Sequence, residues 1–464
     1  MSASPARSAP SRDVPGVSAL SAVTVRTAGD RCPGAMRLHE AADGPLARIR
    51  IPGGLLSTQA ALALAELAET VGDGNLHLTV RGNVEVRGIR DASALSDGLH
   101  AAGLLPSVAH ERARNIVASP FAGLDEHGAS GLDSTDVADL VLALDAAICA
   151  TPRLSGLSGR FLFGIDDGRG DVLAQRPDLG VMLLSADRAR LVLDGAPAAP
   201  VVAVREIPAA LVAATRAFLE SPQVRDGGAW RIRDADSPQW RDQLAAAARS
   251  AVSRSHPEPE TDSPAAPADV PEAAATPDHP VGLVARRPSA TRVRVTVGAI
   301  LPLATTDAST WRALAEHSRR GDGLLRTTPW RGVLLGGLSE AAAEAILRDL
   351  RRRGLVTDAE DPRRRLSACT GLPGCARSLA DVRSAALAST GRSAGDSGQA
   401  ADSGDTENAE NSENAGNSGN AENAVDPDLR AGRTVYWAGC DRHCGHPGGP
   451  HVAHTATRDG YVTT

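Results

Sequence analysis

LARIRIPGG at residues 46–54 and LHLTVRGNVEVRGI at residues 76–89 decide the fold, because both alternate apolar and polar residues as strands do. Between them, apolar residues recur with helical spacing from Ser57 to Val71, and a Gly-Asp-Gly turn follows at residues 72–74. We therefore predict a strand, an amphipathic helix and a second strand over residues 76–89.

The same order of elements recurs in the second half of the chain. It consists of TRVRVTVGAIL at 291–301, a helix from about Ser309 to Arg319, Gly-Asp-Gly at 321–323 and LLRTTPWRGVLLGGL at 324–338. One more helix follows each copy, over residues 92–102 and 339–353. Two such units predict an α+β fold in which two half-domains form a pseudo-twofold repeat.

The composition excludes several classes of protein. With 464 residues, of which 42% are apolar, the chain has room for two to four domains. All 49 basic residues are arginine, so Schiff-base and P-loop lysine chemistry are excluded. Because no run of 18 uncharged apolar residues occurs and residues 1–28 lack a secretory apolar core, we expect a cytoplasmic protein that binds neither membrane nor nucleic acid.

Two segments rich in acidic residues and free of basic ones, 255–279 and 393–425, divide the chain. Without them the remaining chain carries a net positive charge, which permits a polyanionic ligand. The predicted order is a disordered tail at 1–28, a first half-domain at 29–110, an α/β domain at 111–254, a disordered linker at 255–280, a second half-domain at 281–358, and a cysteine-bearing domain at 359–464 with a disordered insertion at 393–425.

Four of the six cysteines form two pairs, Cys369-x5-Cys375 and Cys440-x3-Cys444. Structural zinc sites usually separate the members of a pair by two to four residues, so the longer spacing favours an iron–sulfur cluster over zinc. Zinc stays an alternative on spacing alone. Six cysteines are too few for a disulfide framework in a chain of this length, and we assign no role to Cys32 or Cys149.

The paired cysteines behind two half-domains resemble the nitrite and sulfite reductase superfamily, in which siroheme and a [4Fe-4S] cluster share a cysteine. Several shorter stretches resemble one branch, the precorrin-3B synthase family. They are RCPG at 31–34, LTVRGN at 78–83, RNI at 114–116, SP at 119–120, FGIDDG at 163–168, TPWR at 328–331 and WAGC at 437–440. The resemblance implies two ferredoxin-like half-domains, a sulfite-reductase-like α/β domain at 111–254 and a C-terminal region that binds a [4Fe-4S] cluster.

The same resemblance implies a monooxygenase of aerobic cobalamin biosynthesis. It would convert precorrin-3A to precorrin-3B by C20 hydroxylation and γ-lactone formation, using O₂ and an unidentified electron donor. The reductases bind their small anion with two arginines and two lysines. Arg81 and Arg114 match the arginines, but the lysine stretch reads Gly159-Arg160-Phe161-Leu162, and Glu85 replaces a common glutamine. The loss of one basic position favours the oxygenase.

A tetrapyrrole substrate carries many carboxylate arms, and the planar guanidinium binds a carboxylate through two parallel hydrogen bonds. The candidate substrate-binding residues are Arg81, Arg87, Arg112, Arg114, Arg160 and Arg331. Histidines at 443, 446, 451 and 454 admit a mononuclear non-haem iron, although no carboxylate at ligand spacing completes a facial triad. No catalytic residue is assigned.

Two further functions stay open on the sequence. The first is a siroheme-dependent sulfite or nitrite reductase. The second is a non-enzymatic protein with structural zinc on Cys369, Cys375, Cys440 and Cys444.

Deleting residues 393–425 tests the predicted insertion. The cluster spectrum and the activity should change little, because the closure entropy of a flexible loop depends only weakly on its length. The measurement is visible absorption and iron content of the deletion variant beside the full chain. Loss of iron on deletion would show that this segment is part of the cluster site.

Overall fold

The computed structural model describes Asp30 and residues 32–129, 131–132, 136–226, 228–235, 237–252, 280–288, 293–391 and 425–464. The predicted tail, linker and insertion fall outside the described residues, apart from residues 280 and 425. The fold is α+β, as predicted, and the residues described form four sheets. None of the helices described is both long enough and apolar enough to cross a membrane.

The first half-domain lies at the N-terminal side of the described residues. Its elements are β1 (His39–Ala41), β2 (Gly44–Ile49), β3 (Leu55–Ser57), α1 (Thr58–Val71), β4 (Asn75–Leu78), β5 (Val84–Val86) and α2 (Ala92–Ala101). Ser57 and Asp91 begin the two helices, since each side chain accepts a hydrogen bond from a backbone N–H of the first turn. Both helices lie where the apolar spacing predicts them.

The next region, residues 116–250, contains its own mixed sheet. Its elements are β6 (Ile116–Ala118), α3 (Asp136–Cys149), β7 (Phe163–Asp166), β8 (Leu179–Leu183), β9 (Arg188–Leu193), β10 (Ala196–Ala203), α4 (Ile207–Glu220), α5 (Pro222–Arg225) and α6 (Pro238–Ser250). The strand order is β10-β9-β8-β7-β6, with β6, β7 and β8 parallel. Buried aromatic rings of Phe161, Phe163, Phe218 and Trp240 contact one another in its core. We call it the α/β region.

The second half-domain and a C-terminal region complete the chain. The half-domain has β11 (Gly282–Pro288), β12 (Val293–Ile300), β13 (Thr305–Asp307), α7 (Ala308–Ser318), β14 (Leu324–Thr327), β15 (Gly332–Leu338) and α8 (Glu340–Arg352). The C-terminal region has β16 (Leu366–Ala368), α9 (Val382–Ala388), α10 (Pro427–Arg430), β17 (Val435–Ala438), β18 (Val452–Thr457) and β19 (Gly460–Thr463). Its strand order is β16-β17-β18-β19, and the first three strands are parallel.

Each half-domain supplies a short strand to the sheet of the other. The two sheets have the orders β1-β2-β5-β4-β13 and β11-β12-β15-β14-β3, so β3 and β13 are exchanged. The exchange is symmetrical: Thr58 N–H donates to the Gly323 carbonyl at 3.1 Å, and Ala308 N–H donates to the Gly74 carbonyl at 2.9 Å. Helices α1 and α7 pack together, and one continuous apolar core spans both copies.

The prediction of a single strand over residues 76–89 is wrong. This segment forms two antiparallel strands, β4 and β5, joined by a hairpin turn. Strand β4 ends at Leu78, and the chain turns back through Thr79 to Asn83, whose carbonyl accepts the Thr79 N–H at 2.9 Å. Gly82 adopts φ 67°, a left-handed conformation that glycine tolerates. The stretch 324–338 makes the equivalent hairpin, in which Arg331 adopts φ 64°. A period-two pattern continues across such a turn, so the sequence alone did not reveal the break.

Substituting Gly54 tests the exchange. A Cβ on Gly54 would lie 2.1 Å from the carbonyl oxygen of Thr327 in the other copy, and the residue has φ 70°. A matched control is Gly103, which has φ 71° and open space around its Cβ position. Gly103→Ala should lose about 1 kcal/mol of unfolding free energy, the cost of the left-handed conformation.

Gly54→Ala should lose at least about twice that amount, because the steric clash adds to the conformational cost. Denaturant midpoints of both variants measure the difference. Equal losses would contradict the close approach of the two copies.

Candidate functional site

The two cysteine pairs meet at the ends of adjacent parallel strands. Cys369 follows β16 and Cys440 lies two residues beyond β17, and the Cys369 N–H donates to the Trp437 carbonyl at 2.9 Å. Gly439 N–H points at the Cys369 sulfur at 3.1 Å. Parallel pairing therefore brings residues 70 positions apart in sequence into contact.

Cys375 and Cys444 complete the group. Burial and the neighbouring thiols of Cys375 and Cys440 raise the pKa of Cys369, so these three side chains lie close together. Burial and the thiols of Cys369, Cys444 and Cys440 raise the pKa of Tyr436, whose hydroxyl donates to the Cys444 carbonyl at 2.7 Å. The structure thus brings Cys369, Cys440 and Cys444 near Tyr436, and it brings Cys375 near Cys369.

The spacing of the sulfurs distinguishes a cluster from a single ion. No three metal-ligating atoms that include these cysteines lie within 4.8 Å of one another in the part of the chain described. A tetrahedral zinc ion would hold its sulfurs about 3.8 Å apart. The four thiols are therefore not gathered as tightly as a single zinc ion requires, and an all-cysteine donor set suits an iron–sulfur cluster.

A cavity of about 540 Å³ opens beside Cys369 and Cys444. Its walls come from the β4–β5 hairpin of the first half-domain, from residues 303–305 and Arg331 of the second, and from residues 368–384 of the C-terminal region. All three parts of the chain are therefore needed to form it. A cavity of this size accommodates a drug-sized or larger organic ligand.

Two arginines of this cavity have no carboxylate partner within ion-pair distance among the described residues. Arg331 donates to the Gly445 carbonyl at 3.2 Å, and Arg383 donates to the Leu303 carbonyl at 3.0 Å and to Thr305 Oγ1 at 2.5 Å. Burial lowers the pKa of both guanidinium groups, and for Arg383 the nearby Arg87 adds repulsion. Arginine stays charged under ordinary conditions, so the site favours an anionic ligand.

The other two arginines that line the cavity are already paired with carboxylates. Arg87 makes two hydrogen bonds to Asp43, at 2.7 and 2.8 Å, and one to the Gly374 carbonyl. Arg48 pairs with Glu85 at 2.7 Å, which explains the acidic residue at a position where glutamine is common. Only Arg331 and Arg383, of the cavity arginines described, are left to bind an external carboxylate.

His77 is a buried imidazole in the wall of this cavity. Its Nδ1 lies 2.8 Å from Thr305 Oγ1 across the exchanged strand β13. Burial, with the positive charges of Arg383 and Arg87, lowers the pKa of His77 to about 3, so the ring is neutral at physiological pH. Neither His77 nor Arg383 belongs to a motif, and sequence analysis did not identify them.

The structure separates the six predicted arginines into two groups. Arg87 and Arg331 line the cavity. Arg81 does not line it, although its neighbours Thr79 and Val80 do; its guanidinium donates to the Gly159 carbonyl at 3.4 Å. Arg50 donates to the same carbonyl at 3.2 Å, and burial lowers the pKa of Arg81 to about 10.

The other three arginines do not line this cavity, and each has a partner within the protein. Arg114 is buried and makes two hydrogen bonds to Asp145, at 2.8 and 2.7 Å, and a third to the Leu104 carbonyl. Arg112 pairs with Asp30 at 3.0 Å. Arg160 is exposed, with its guanidinium 4.4 Å from the centre of a ring of Trp230. Their partners lie far away in sequence, which is why the motif did not reveal them.

Comparison with known proteins agrees with the repeat. Residues 39–101 and 287–353 match the family described as "Nitrite/Sulfite reductase ferredoxin-like half domain". One relative, a ferredoxin–nitrite reductase of Synechococcus elongatus, is 33% identical over 132 residues, which cover 27% of this chain and 25% of that protein. A ferredoxin–nitrite reductase of Leptolyngbya laminosa is 40% identical over 82 residues, which cover 17% of this chain and 16% of that protein.

One solved structure is similar in fold over most of this chain. The NirA protein of Mycobacterium tuberculosis superposes with a TM-score of 0.57 at 18% identity, covering 90% of this chain and 73% of that one. Two regions of the chain are therefore similar to the nitrite/sulfite reductase ferredoxin-like half-domain, and the fold is similar to that of NirA.

Serine substitution tests the cysteine site. Cys369→Ser should remove most of the bound iron and the visible absorption, because the cluster would lose one of its four thiolates. The matched control is Cys149→Ser, which removes a thiol from α3 near Asp145 and Arg114. Iron and zinc content, measured after anaerobic purification, distinguish the outcomes. Full iron content in Cys369→Ser, or zinc in place of iron in the unaltered chain, would contradict the cluster.

Proposed function

We propose that this chain is an oxidoreductase that binds a polycarboxylate tetrapyrrole beside a [4Fe-4S] cluster. Cys369, Cys375, Cys440 and Cys444 would hold the cluster, which supplies electrons one at a time. The observation that carries the proposal is a pair of half-buried arginines, Arg331 and Arg383, in a cavity shared with two of those cysteines. Neither has a carboxylate partner among the residues that the structure describes. Carboxylate arms of the tetrapyrrole would neutralise them.

As the specific reaction we propose a precorrin-3B synthase-like monooxygenation of precorrin-3A, with O₂ and an external electron donor. The support is the state of the residues that match the reductase anion site. Arg114 already has its carboxylate in Asp145, Arg160 lies on Trp230, and Leu162 is buried among apolar side chains. Of the basic positions that match the anion site, Arg114 is thus neutralised inside the protein, while Arg331 and Arg383 stay open to a larger anion.

The chain's own residues would then bind and orient the tetrapyrrole. Arg331 and Arg383 lie in different parts of the chain, so together they would fix two carboxylate arms and hence the orientation of the macrocycle. His77 is neutral and its Nδ1 hydrogen-bonds to Thr305, so it keeps the wall rigid without adding charge. No residue of the cavity is assigned a proton-transfer step.

The second candidate is a siroheme-dependent nitrite or sulfite reductase. The names of both relatives, each a ferredoxin–nitrite reductase, favour it. In that case the same arginines would bind the carboxylates of siroheme as a resident group, and the small anion would need a charged site that Arg81 and Arg50 alone would supply.

The visible spectrum of anaerobically purified protein separates the two candidates. Cluster absorption without siroheme bands, and O₂-dependent conversion of precorrin-3A, are the expected results. Siroheme bands together with reduction of sulfite or nitrite would establish the reductase and reject the oxygenase. Absence of both the cluster and siroheme would reject both candidates.

Substituting Arg331 tests the tetrapyrrole site. Arg331→Leu should weaken the anaerobic binding of precorrin-3A by roughly 1.5 to 3 kcal/mol, the range for a hydrogen bond to a charged group, with the cluster spectrum unchanged. The matched control is Arg160→Leu, at an exposed arginine outside the cavity, which should leave binding unaltered. Equal affinities in Arg331→Leu and the unaltered protein would remove Arg331 from the site.

A further inference from the structure

A second group of metal-ligating side chains lies in the C-terminal region, apart from the cysteines. Ligand atoms of Asp426, Asp428 and His454 all lie within 4.8 Å of one another. His454 is on β18, whereas both aspartates lie at the start of α10. The group joins residues that are 26 and 28 positions apart in sequence, which is why the histidine spacing gave no facial triad.

The imidazole of His454 is fixed by contacts outside this group. Its Nδ1 lies 2.9 Å from Thr463 Oγ1 on β19, and its ring packs on Trp437 with 4.5 Å between ring centres. Its Nε2 points at Asp426 Oδ2, 3.0 Å away. In the metal-free protein Nε2–H donates to this carboxylate. A metal ion would replace that proton, and the Thr463 hydroxyl would then accept a hydrogen bond from Nδ1–H, which is how metal-binding histidines are held.

The two aspartates keep oxygen atoms available. Asp426 uses Oδ1 to accept the backbone N–H groups of Asp428 and Leu429, and it directs Oδ2 at the imidazole. Asp428 accepts one hydrogen bond from Arg433, to Oδ1 at 2.9 Å. All three residues are partly exposed, so an ion can reach them from solvent.

A second group of three carboxylates lies equally close together, but its oxygens are already hydrogen-bonded to a larger extent. Asp166, Asp167 and Asp171 are buried in the α/β region. Asp166 accepts four backbone N–H groups, two on each oxygen, and both oxygens of Asp167 accept hydrogen bonds from Arg169. The oxygens of Asp166 and Asp167 are thus occupied, Asp171 keeps one oxygen without a hydrogen bond from any described residue, and the group has no imidazole. These carboxylates hold the loop that follows β7 through hydrogen bonds to its backbone, and we propose no ion there.

We propose that His454, Asp426 and Asp428 bind one divalent first-row transition-metal ion. One imidazole nitrogen and two carboxylate oxygens are a donor set of intermediate hardness, which suits Mn²⁺, Fe²⁺, Co²⁺ and Zn²⁺ better than the sulfur-seeking or strictly oxygen-seeking ions. The ion would join α10 to β18, the neighbour of the strand that leads into Cys440. The proposal is independent of the proposed function, since it uses none of the cysteines or cavity arginines.

Titration with Co²⁺ under anaerobic conditions, using full-length protein with its cysteine site as purified, tests this site. We expect one Co²⁺ per chain with the weak ligand-field absorption of nitrogen and oxygen coordination and no sulfur-to-cobalt charge transfer. His454→Ala should abolish this binding. Thr463→Val, which removes only the hydroxyl beside Nδ1, should weaken it by about 10- to 100-fold.

The matched control is His451→Ala, three residues from His454, whose Nδ1 lies 2.9 Å from the Gly449 carbonyl. It should bind Co²⁺ as the unaltered chain does. If His454→Ala does not fold, Asp428→Asn replaces it, because that residue is partly exposed and the change keeps its shape. The proposal is overturned if no Co²⁺ binds, if His454→Ala and Asp428→Asn bind it unchanged, or if the only Co²⁺ spectrum shows sulfur coordination.

Discussion

The reciprocal exchange of strands β3 and β13 between the half-domains is the constraint on which the structure depends. Each short strand completes the sheet of the other copy, so neither sheet reaches five strands alone. The pairing aligns Thr305 with His77 in register, and these two side chains also hydrogen-bond. One wall of the cavity is therefore assembled from both copies, and its shape follows from the register of a three-residue strand.

The two half-domains differ in which region of the chain packs against each of them. Arg81 and Arg331 hold equivalent positions, each immediately before the first glycine that closes its hairpin, Gly82 or Gly332. Arg81 reaches a carbonyl of the α/β region, and Arg331 reaches a carbonyl of the C-terminal region. Equivalent residues thus acquire different surroundings because a different structure packs on each copy. Of these two arginines, Arg331, which faces the C-terminal region, lines the cavity, and Arg81 does not.

Backbone strain accompanies the same asymmetry. Gly53 and Gly54 have φ of 63° and 70°, and the equivalent Leu303 and Ala304 keep this left-handed conformation, with φ of 50° and 62°. A residue with a Cβ pays about 1–2 kcal/mol for that conformation. Leu303 and Ala304 line the cavity, and the Leu303 carbonyl accepts a hydrogen bond from Arg383. The surrounding packing holds Leu303 and Ala304 in this strained conformation, which directs the Leu303 carbonyl toward Arg383.

Local sequence determined the helices, the repeat and the identity of the paired cysteines. The helices begin at Ser57, Asp91, Asp307 and Ser339, whose short polar side chains cap them, so a pattern within a few residues was enough. Tertiary structure decided which polar groups become partners. Asp145 and Arg114 are 31 positions apart, Asp426 and His454 are 28 positions apart, and only packing brings each pair close. A charged side chain takes its role from the partners that folding places beside it, because electrostatic energy depends on distance in space and on burial, which a linear motif does not contain.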